Sequence, residues 1–476
     1  MDNTKIKKDN SIYFWDIARQ KYVMLMLDTQ EIKVVDKEQI KRDYYLKYKT
    51  NWHEVKHKLF LSDEYIKSRY LIFEPQKGFE WQQNGFTYRN TYIESNISLE
   101  SRRERKKGLK RINKDLSFLE KYPHINALLN NICNKKQNLE YFINWLSFIF
   151  ATKRKTGTAI LFRGIQGTGK GVFWEQILTY FFGENYTQIL DNDTLKSNFT
   201  PSGLEKSLFV LANEIKGDFR DGNAMYEKIK MYISDPTLRI EEKGLQTYYA
   251  NNNFNMIFFS NNDIPLQIQG SDRRYTVFQT KSQTLGELAE NEFSETLDEF
   301  IAHIKDERDE FLKDLVCFEY DIQRARVCLN TNEKERIYRA SMTKIEILSD
   351  KCKKLDDEFF ENDVCEILEN TEDEEKKKLY NKYKICIIQN NDLLTIQNLI
   401  QQMRDFALKH RSFQNNYLCF LYCVFVDKNA NQTKIGTSLN SHFGKSVNKR
   451  IGDKIIRIRE IEEFKEDNFL NKIIPF

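Results

Sequence analysis

Residues 164–171 combine four glycines and a lysine at a spacing that can hold a phosphate group. They read GIQGTGKG and fit the pattern G-x-x-x-x-G-K. Glycines let backbone N–H groups turn toward phosphate oxygens at the start of a helix, and the lysine adds a point positive charge. An apolar run at 158–162 predicts a strand before the loop, and the residues after it predict an amphipathic helix. We therefore predict that this loop binds the phosphates of a nucleotide, through Gly164, Gln166, Gly167, Thr168, Gly169, Lys170, Gly171 and Val172.

Hydrolysis of a nucleotide also requires an acidic residue on a neighbouring strand. Residues 207–214, SLFVLANE, predict a strand that ends in Asn213 and Glu214. Glu214 is the expected general base that polarises the attacking water, and Asn213 stands where an aspartate would hold Mg²⁺ through water. Gly171 occupies the position where a Ser or Thr hydroxyl usually ligates Mg²⁺. The predicted Mg²⁺ site, formed by Asn213 and Glu214, therefore has fewer strong protein ligands than usual.

Two further polar groups follow in the sequence. Residues 254–261, FNMIFFSN, predict a third strand ending in Asn261, whose amide can hydrogen-bond a γ-phosphate or the attacking water. The run Asp272-Arg273-Arg274 precedes another strand, YTVFQ. Paired arginines there are interpreted as a finger that stabilises transition-state charge. Lys170, Glu214, Asn261, Arg273 and Arg274 form the predicted catalytic set.

Between the second and third strands, RIEEKGLQTYYA alternates around Lys243 and Gly244 and predicts a β-hairpin. A lysine at the hairpin tip, close to Tyr248 and Tyr249, is suited to gripping a nucleic-acid strand.

The order GIQGTGKG, LFVLANE, EEKG, FFSN and DRR resembles the superfamily 3 helicases, and more closely the helicase part of primase-helicases of phages, plasmids, mobile islands and large DNA viruses. The resemblance is specific over about residues 120–280, and the GTGKG ending occurs in this branch. It implies an AAA+-like core in a hexameric ring that binds ATP and Mg²⁺ between subunits. Arg273 or Arg274 would reach across from the neighbour, and Lys243 would line a pore that holds single-stranded DNA.

The sequence patterns around these residues predict a multidomain α/β protein. A basic run from Ser98 predicts one helix, with Ser98 as its N-cap and Pro123 as its stop. Residues 124–151 predict a packed pair of helices. The expected segments are an α+β domain of unknown role at 1–97, a helical oligomerisation segment at 98–152, the AAA+-like ATPase core at 153–283, a helical connector at 284–385 and a winged-helix-like domain at 386–476.

The last segment predicts helices at 395–410 and 432–444 and two strands around Gly452, the order of a winged helix. Its basic residues suit phosphate contacts with duplex DNA, but they also suit a solvated surface without a partner. The same alternative applies to the basic run 102–111. The predicted positive face consists of Lys434, Lys445, Lys449, Arg450, Lys454, Arg457 and Arg459, with Lys449, Arg450 and Lys454 as the DNA contacts.

Composition narrows the class of protein. The chain has 476 residues, 40% of them hydrophobic and 30% charged, with a net charge of +4, which suits two to four folded domains. It contains no apolar run long enough to span a membrane, and no apolar signal core follows its N-terminus. The eight cysteines include no CxxC pair and indicate neither a disulfide framework nor a zinc site; Cys419 and Cys423 are predicted to be buried thiols. We expect a cytoplasmic protein of a bacterial or virus-infected cell.

These observations favour an ATP-dependent DNA helicase that replicates a mobile element, phage or plasmid. A second hypothesis is an ATP-binding initiator or regulator that binds duplex DNA and has little unwinding activity. The small number of predicted Mg²⁺ ligands motivates this hypothesis. A DNA-packaging or transposition ATPase would normally add a nuclease or integrase acid cluster, and none is found. Asp63 and Glu64 are the nearest acidic pair in the first hundred residues, so we predict no primer synthesis and expect a separate primase or polymerase as a partner.

Overall fold

A computed structural model describes residues 11–17, 21–26, 32–48, 66–197, 200–201, 203–213, 222–240, 247–266, 268, 272–356, 358–383, 393–451 and 454–460. The chain forms two compact units, Met1–Ala340 and Ser341–Phe476. Each contains its own helices and strands, so the protein is a multidomain chain of mixed α/β structure. In the described part, no helix has both the length and the apolar character needed to cross a membrane.

A mixed six-stranded sheet begins the first unit, in the order β3-β2-β1-β4-β6-β5. Neighbours β1–β2, β2–β3 and β5–β6 are antiparallel, whereas β1–β4 and β4–β6 are parallel. Strand β5 pairs with β6 through a tight turn at Asn84 and Gly85, both at positive φ. The elements are β1 (Ser11–Asp16), β2 (Lys21–Met26), β3 (Ile32–Val35), α1 (Lys37–Tyr48), β4 (Ile66–Ile72), β5 (Glu80–Gln83) and β6 (Phe86–Asn90).

The basic segment after this sheet differs from its prediction. Helix α2 spans Asn96–Lys107, with Ser95 rather than Ser98 as its N-cap. It ends at Gly108, whose φ of 67° is accessible mainly to glycine and whose N–H caps the last turn. A short 3₁₀ turn (Ser117–Lys121) follows. Pro123 starts the next helix instead of stopping this one, because proline lacks the N–H that a first helical turn leaves unused.

The predicted helical pair is confirmed as α3 (Pro123–Cys133) and α4 (Lys136–Thr152). Behind these helices lies a five-stranded sheet in the order β13-β7-β12-β9-β8, in which every neighbouring pair is parallel. A separate antiparallel ribbon is formed by β10 and β11. The strands are β7 (Ala159–Arg163), β8 (Thr187–Leu190), β9 (Phe209–Asn213), β10 (Thr237–Ile240), β11 (Tyr248–Asn251), β12 (Asn255–Ser260) and β13 (Tyr275–Gln279).

Alternate side chains of the parallel sheet enter two different cores, as the period of a strand requires. Ile160 and Phe162 of β7 pack with Trp145 and other residues of α4. Ala159 and Leu161 pack on the other face, with residues of a helix at Gly222–Ser234. The sheet is therefore the middle of three layers, and its residues are apolar in nearly continuous runs.

The remaining helices of the first unit include the one that follows the glycine-rich loop. This helix, α5, begins at Lys170–Phe173, widens into a π turn at Trp174–Thr179 and ends at Tyr180–Phe182. A 3₁₀ turn at Glu184–Tyr186 and another at Leu204–Lys206 flank β8 and β9. The others are α6 (Asn192–Lys196), α7 (Gly222–Ser234), α8 (Leu285–Leu288, continued by a π turn at Ala289–Phe293), α9 (Leu297–Cys317), α10 (Ile322–Arg326) and α11 (Asn332–Ser341).

The second unit packs helices around a core and ends in a three-stranded antiparallel sheet of order β14-β16-β15. The predicted helices and strands of this segment are confirmed, while β14 and α16 were not predicted. Cys419 and Cys423 are buried, as expected. The elements are α12 (Lys344–Lys354), a π turn (Phe359–Val364), α13 (Cys365–Glu369), α14 (Asp373–Tyr383), α15 (Leu393–His410), β14 (Ser412–Gln414), α16 (Asn415–Leu421, continued by a π turn at Tyr422–Val426), α17 (Gln432–Phe443), β15 (Val447–Ile451) and β16 (Lys454–Glu460).

Candidate functional site

The glycine-rich loop joins the carboxyl end of β7 to the start of α5, as the sequence predicted. Gly164, Gly167 and Gly169 have φ values of 153°, 78° and 98°, which side chains rarely adopt. There is also no room for side chains at two of them. A Cβ on Gly164 would lie 1.9 Å from Thr280 Oγ1, and one on Gly169 would lie 2.4 Å from Leu128 Cδ1. The loop backbone therefore requires glycine at these positions.

Lys170 is buried at the first position of α5, with 8% of its surface exposed. Its ammonium donates to the carbonyl oxygens of Ile165 (2.7 Å) and Gly164 (3.1 Å), and lies 3.4 Å from both Thr168 Oγ1 and Asn261 Oδ1. Burial lowers the pKa of this ammonium to about 8. A lysine charge is thus held inside the loop by oxygen atoms that a phosphate group can replace.

The other predicted loop contacts differ in exposure. Thr168 and Gly169 are buried, whereas Gln166, Gly167 and Gly171 are exposed. Gly171 has open space around its Cα, so a side chain fits there. Val172 is partly buried against the core formed with α3 and α4.

The parallel sheet brings the polar strand ends to one edge. Strand β12 lies between β7 and β9, with Ser260 opposite Arg163 and Phe259 opposite Asn213. Asn213, the last residue of β9, and Asn261, the residue after β12, therefore lie at the same carboxyl edge as the loop, and both are exposed. Glu214 is the next residue after Asn213 but lies outside the described residues. Amide oxygens at this edge are hard ligands of the kind that Mg²⁺ accepts, directly or through water.

Arg163, which sequence reasoning missed, connects this edge to its surroundings. Its Nε donates to the carbonyl oxygen of Asn262 (3.1 Å), its Nη1 pairs with Glu333 (2.7 Å), and Nη2 also pairs with Asp263. These bonds fix the residue after Asn261 to the last residue of β7. The only signal in the sequence was an arginine directly before the loop.

Helix α3 supports the loop from the other side and was also not predicted to belong to the site. Asn131 Nδ2 donates to the carbonyl oxygens of Thr168 (2.9 Å) and Gln283 (3.0 Å). Leu128, one turn earlier, packs against Gly169. No local pattern in the sequence connects this helix to a loop more than thirty residues later.

The predicted finger arginines lie at the opposite edge of the sheet from the loop. The Arg274 carbonyl accepts from the N–H of Ala159, the first residue of β7. Ala159 and Gly164 are five residues apart, so at about 3.3 Å per residue roughly 17 Å separates them, which is beyond the reach of an arginine side chain. Neither arginine therefore serves the loop of its own chain.

The two arginines have different surroundings. The Arg274 guanidinium donates to Ser234 Oγ (2.6 Å) and pairs with Asp272 (3.4 Å). Arg273 is exposed and, within the part of the chain that the structure describes, has no hydrogen-bonding or ion-pairing partner. Beside them lies a polar cavity of about 650 Å³, whose lining includes Ser234, Arg154 and Arg326.

The predicted hairpin is confirmed as an antiparallel ribbon. Ile240 of β10 pairs with Tyr248 of β11, and Tyr249 is 73% exposed. Lys243, predicted at the tip, falls between these strands in the sequence but lies outside the described residues. The acidic pair Asp63 and Glu64, in the N-terminal segment, also lies outside them. The ribbon begins directly after α7, on a different connection from the glycine-rich loop.

In the second unit, an exposed basic hairpin is formed by β15 and β16. Lys449, Arg450 and Lys454 are all exposed. Arg459 was wrongly assigned to this face: it is 3% exposed and donates to Asn415 (2.8 Å), Asn440 (2.8 Å) and the Gly444 carbonyl oxygen. Arg457, two residues earlier and on the same face of β16, is exposed, so the burial of Arg459 comes from these tertiary contacts and not from strand alternation.

The basic run 102–111 is also partly structural. Arg105 Nη1 donates to the carbonyl oxygens of Val316 (2.7 Å) and Phe318 (2.6 Å), and Arg102 pairs with Glu94 (3.2 Å). Part of this charge therefore anchors α2 to the end of α9.

Known proteins share the architecture described above. Residues 162–274 match a family of unknown function, DUF5906. Over 210 residues, 44% of this chain, the sequence is 31% identical to the DNA primase-polymerase of Nitratiruptor phage NrS-1. The chain spans about a quarter (27%) of the length of that curated relative.

Solved structures extend the likeness to nearly the whole chain. The apo structure of the NrS-1 C-terminal region aligns over 94% of this chain and 96% of its own, with a TM-score of 0.65 and 21% identity. Its A-form apo structure aligns over 95% and 96%, with a TM-score of 0.65 and 22% identity. This chain is thus homologous to part of a phage primase-polymerase and has the fold of the NrS-1 C-terminal region. The resemblance to a phage replication protein is confirmed in that form, while membership of superfamily 3 stays a prediction.

Proposed function

We propose that this protein is an ATP-dependent DNA helicase of the superfamily 3 type that acts in phage or mobile-element replication. The observation that carries the proposal is the buried Lys170 ammonium at the start of α5, which contacts oxygen atoms of Gly164, Ile165 and Asn261. A charge held at the start of a helix, in a loop built from obligatory glycines, is suited to the β and γ phosphates of ATP.

Hydrolysis in this proposal uses the carboxyl edge of the sheet. Glu214 acts as the general base for the attacking water, and Asn261 hydrogen-bonds the γ-phosphate. Asn213 holds Mg²⁺ through water together with Glu214, and the ion would neutralise charge on the transferred phosphoryl group. Arg163 positions Asn261 through the Asn262 carbonyl group.

The remaining part of the site comes from a neighbouring subunit. The length of the sheet between Arg273 and its own loop, at least about 17 Å, supports an action in trans, as a hexameric ring with ATP at its interfaces requires. Arg273 is the better finger, because Arg274 is already engaged by Ser234 and Asp272. The β10–β11 ribbon would then carry Lys243 to single-stranded DNA in the central pore.

Similarity to part of a phage DNA primase-polymerase supports a role in DNA replication. DNA is accordingly the proposed partner, single-stranded in the ring and duplex at the basic hairpin of the second unit. A separate primase or polymerase is a further proposed partner, and the infected or element-carrying cell is the proposed place of action.

The test is ATP hydrolysis by the full chain with and without single-stranded DNA, followed by unwinding of a forked duplex. Stimulation by DNA is expected, together with loss of hydrolysis and unwinding in Lys170→Ala and Glu214→Gln. The exposed substitutions Lys305→Ala and Glu175→Gln serve as matched controls and should leave both activities unchanged. Unwinding that survives Lys170→Ala would refute the proposal.

One observation favours a second candidate, an ATP-binding initiator or regulator. The exposed basic hairpin and helix α17 in the second unit suit duplex DNA independently of any ring. Slow hydrolysis that is indifferent to single-stranded DNA, with tight duplex binding, would favour this candidate over the helicase.

A further inference from the structure

Two histidines and a glutamate meet in the helical layer of the first unit, outside the site described above. His124 lies in the first turn of α3, His303 lies in α9, and Glu295 lies in the turn before α9. His124 Nε2 and His303 Nδ1 lie 3.3 Å and 3.1 Å from the same atom, Glu295 Oε1. One donor atom from each residue falls within 4.8 Å of the others.

The opposite nitrogen of His124 fixes how the ring faces this cluster. His124 Nδ1 lies 2.7 Å from Glu307 Oε1, and the two oxygens of Glu307 also accept the backbone N–H groups of His124 and Ile125. An ionised carboxylate only accepts hydrogen bonds, so Nδ1 carries the proton. In the neutral ring, Nε2 then directs its lone pair at a carboxylate oxygen 3.3 Å away. Two such acceptors repel each other unless a proton or a metal ion lies between them.

Two of the three ligand separations match the edges of a tetrahedral coordination shell. Zinc bonds of 2.0–2.2 Å in a tetrahedron separate neighbouring ligand atoms by about 3.3 Å. The two short separations at Glu295 are 3.3 Å and 3.1 Å. In zinc sites, the nitrogen of a histidine ligand that does not bind the metal usually donates a hydrogen bond to a carboxylate or another acceptor. Here the Glu307 carboxylate accepts from His124 Nδ1.

We propose that His124, Glu295 and His303 bind one Zn²⁺ ion, with water in the fourth position. The open side is available because the His303 side chain is 46% exposed, compared with 12% for His124. The ion would join α3 to α9. His124 lies one turn before Leu128 and two turns before Asn131, the residues of α3 that contact Gly169 and Thr168. Zinc would therefore brace the helix behind the glycine-rich loop.

Cysteine spacing gives no sign of this site, because its ligands are histidines and a glutamate. His124 and Glu295 are 171 residues apart, so only the packing of α3 against α9 brings them together. His303 follows Glu295 by eight residues, a spacing that by itself does not indicate a metal site.

The test measures metal content, which does not depend on ATP hydrolysis. The full chain is stripped with a chelator, dialysed against Zn²⁺ or Co²⁺, and analysed by mass spectrometry and visible absorption. Wild-type protein is expected to retain one equivalent more than His303→Asn and Glu295→Gln and to show the absorption of tetrahedral Co²⁺. Added Zn²⁺ should raise the unfolding temperature of the wild type by several degrees and leave that of both variants unchanged.

Matched controls separate this site from metal bound by the cysteines. Glu292→Gln and His442→Asn change an exposed glutamate near the site and a histidine in the other unit, and both should retain the wild-type metal content. Circular dichroism checks that each variant is folded, and the exposed position of His303 favours folding of His303→Asn. Equal metal content in wild type and both folded variants, or none in the wild type, would overturn the proposal. Either result leaves the helicase proposal untouched.

Discussion

The Lys170 ammonium lies 2.7 Å from the carbonyl oxygen of Ile165, inside the loop that precedes it. The lysine is thus held by backbone oxygens, with Asn261 Oδ1 3.4 Å away. A phosphate group must replace these weak partners with a stronger one. The proposed ATP site therefore depends on the charge of one buried lysine.

This dependence predicts a pH profile for ATP binding. Burial lowers the pKa of Lys170 to about 8 in the free protein, and a bound phosphate favours the charged form and raises it. Affinity should be fully present below pH 8 and should fall as the pH rises through that value, by up to about tenfold per pH unit. Titration calorimetry from pH 7 to 9.5 measures this. Lys170→Arg keeps its charge and should give a flat profile; a flat wild-type profile would contradict the prediction.

Two neighbouring glycines should respond oppositely to alanine. Gly169→Ala places a Cβ 2.4 Å from Leu128 at a φ of 98°, and we expect a loss of about 1–3 kcal/mol of folding free energy together with ATP binding. Gly171→Ala meets open space within α5 and should stabilise the fold by about 0.5–1 kcal/mol. Urea denaturation and nucleotide titration compare the pair. Equal effects would show that loop geometry is not the reason for Gly169.

Alanine substitutions of Arg273 and Arg274 should have different effects, the first on ATP hydrolysis and the second on stability. Arg273→Ala is expected to lower the ATPase rate by about 10³-fold or more without changing ATP affinity or the unfolding temperature. Arg274→Ala removes the bonds to Ser234 and Asp272 and should lower stability by about 1–3 kcal/mol.

A mixing experiment distinguishes action in trans. Arg273→Ala and Lys170→Ala subunits are each inactive alone, but a mixture forms some interfaces with one intact lysine and one intact arginine. Recovered hydrolysis in the mixture is expected. An inactive mixture, with assembly verified by sedimentation, would place the arginine outside the reaction.

The basic hairpin predicts a salt-dependent contribution to duplex binding. Replacing Lys449, Arg450 and Lys454 with alanine should reduce the slope of log affinity against log salt by about 2–3, since each phosphate contact contributes roughly 0.9. The exposed lysines Lys377, Lys378 and Lys382 of α14 provide a control triple with the same charge change. A slope reduced equally by both triples would indicate a general charge effect rather than a binding face.

Local pattern was sufficient for several elements. Continuous apolar runs predicted β7, β9 and β12, and the glycine spacing predicted the turn into α5. Helices α3 and α4 followed from their period. Local pattern failed at α2, where Ser98 and Pro123 were taken as its ends, because a glycine in the left-handed conformation terminated the helix earlier.

The residues of the candidate site also fall into those that local pattern identified and those that it did not. Lys170, Asn213 and Asn261 were identifiable because each follows or begins an element that periodicity reveals. Arg163, Leu128 and Asn131 were not, since their contacts join segments far apart in the chain. Arg459 was misassigned because its burial depends on contacts with Asn415, Asn440 and Gly444, which no local pattern reveals.

The sequence by itself determined the turn of the glycine-rich loop into α5, the buried strands β7, β9 and β12 and the basic character of the last segment. These properties reside in short runs, where residue type and spacing restrict the backbone directly. Only the tertiary structure decided that β12 lies between β7 and β9, that the arginines face away from their own loop and that His124 meets His303. Such relationships depend on which distant surfaces bury each other, and that choice is made by packing rather than by any local pattern.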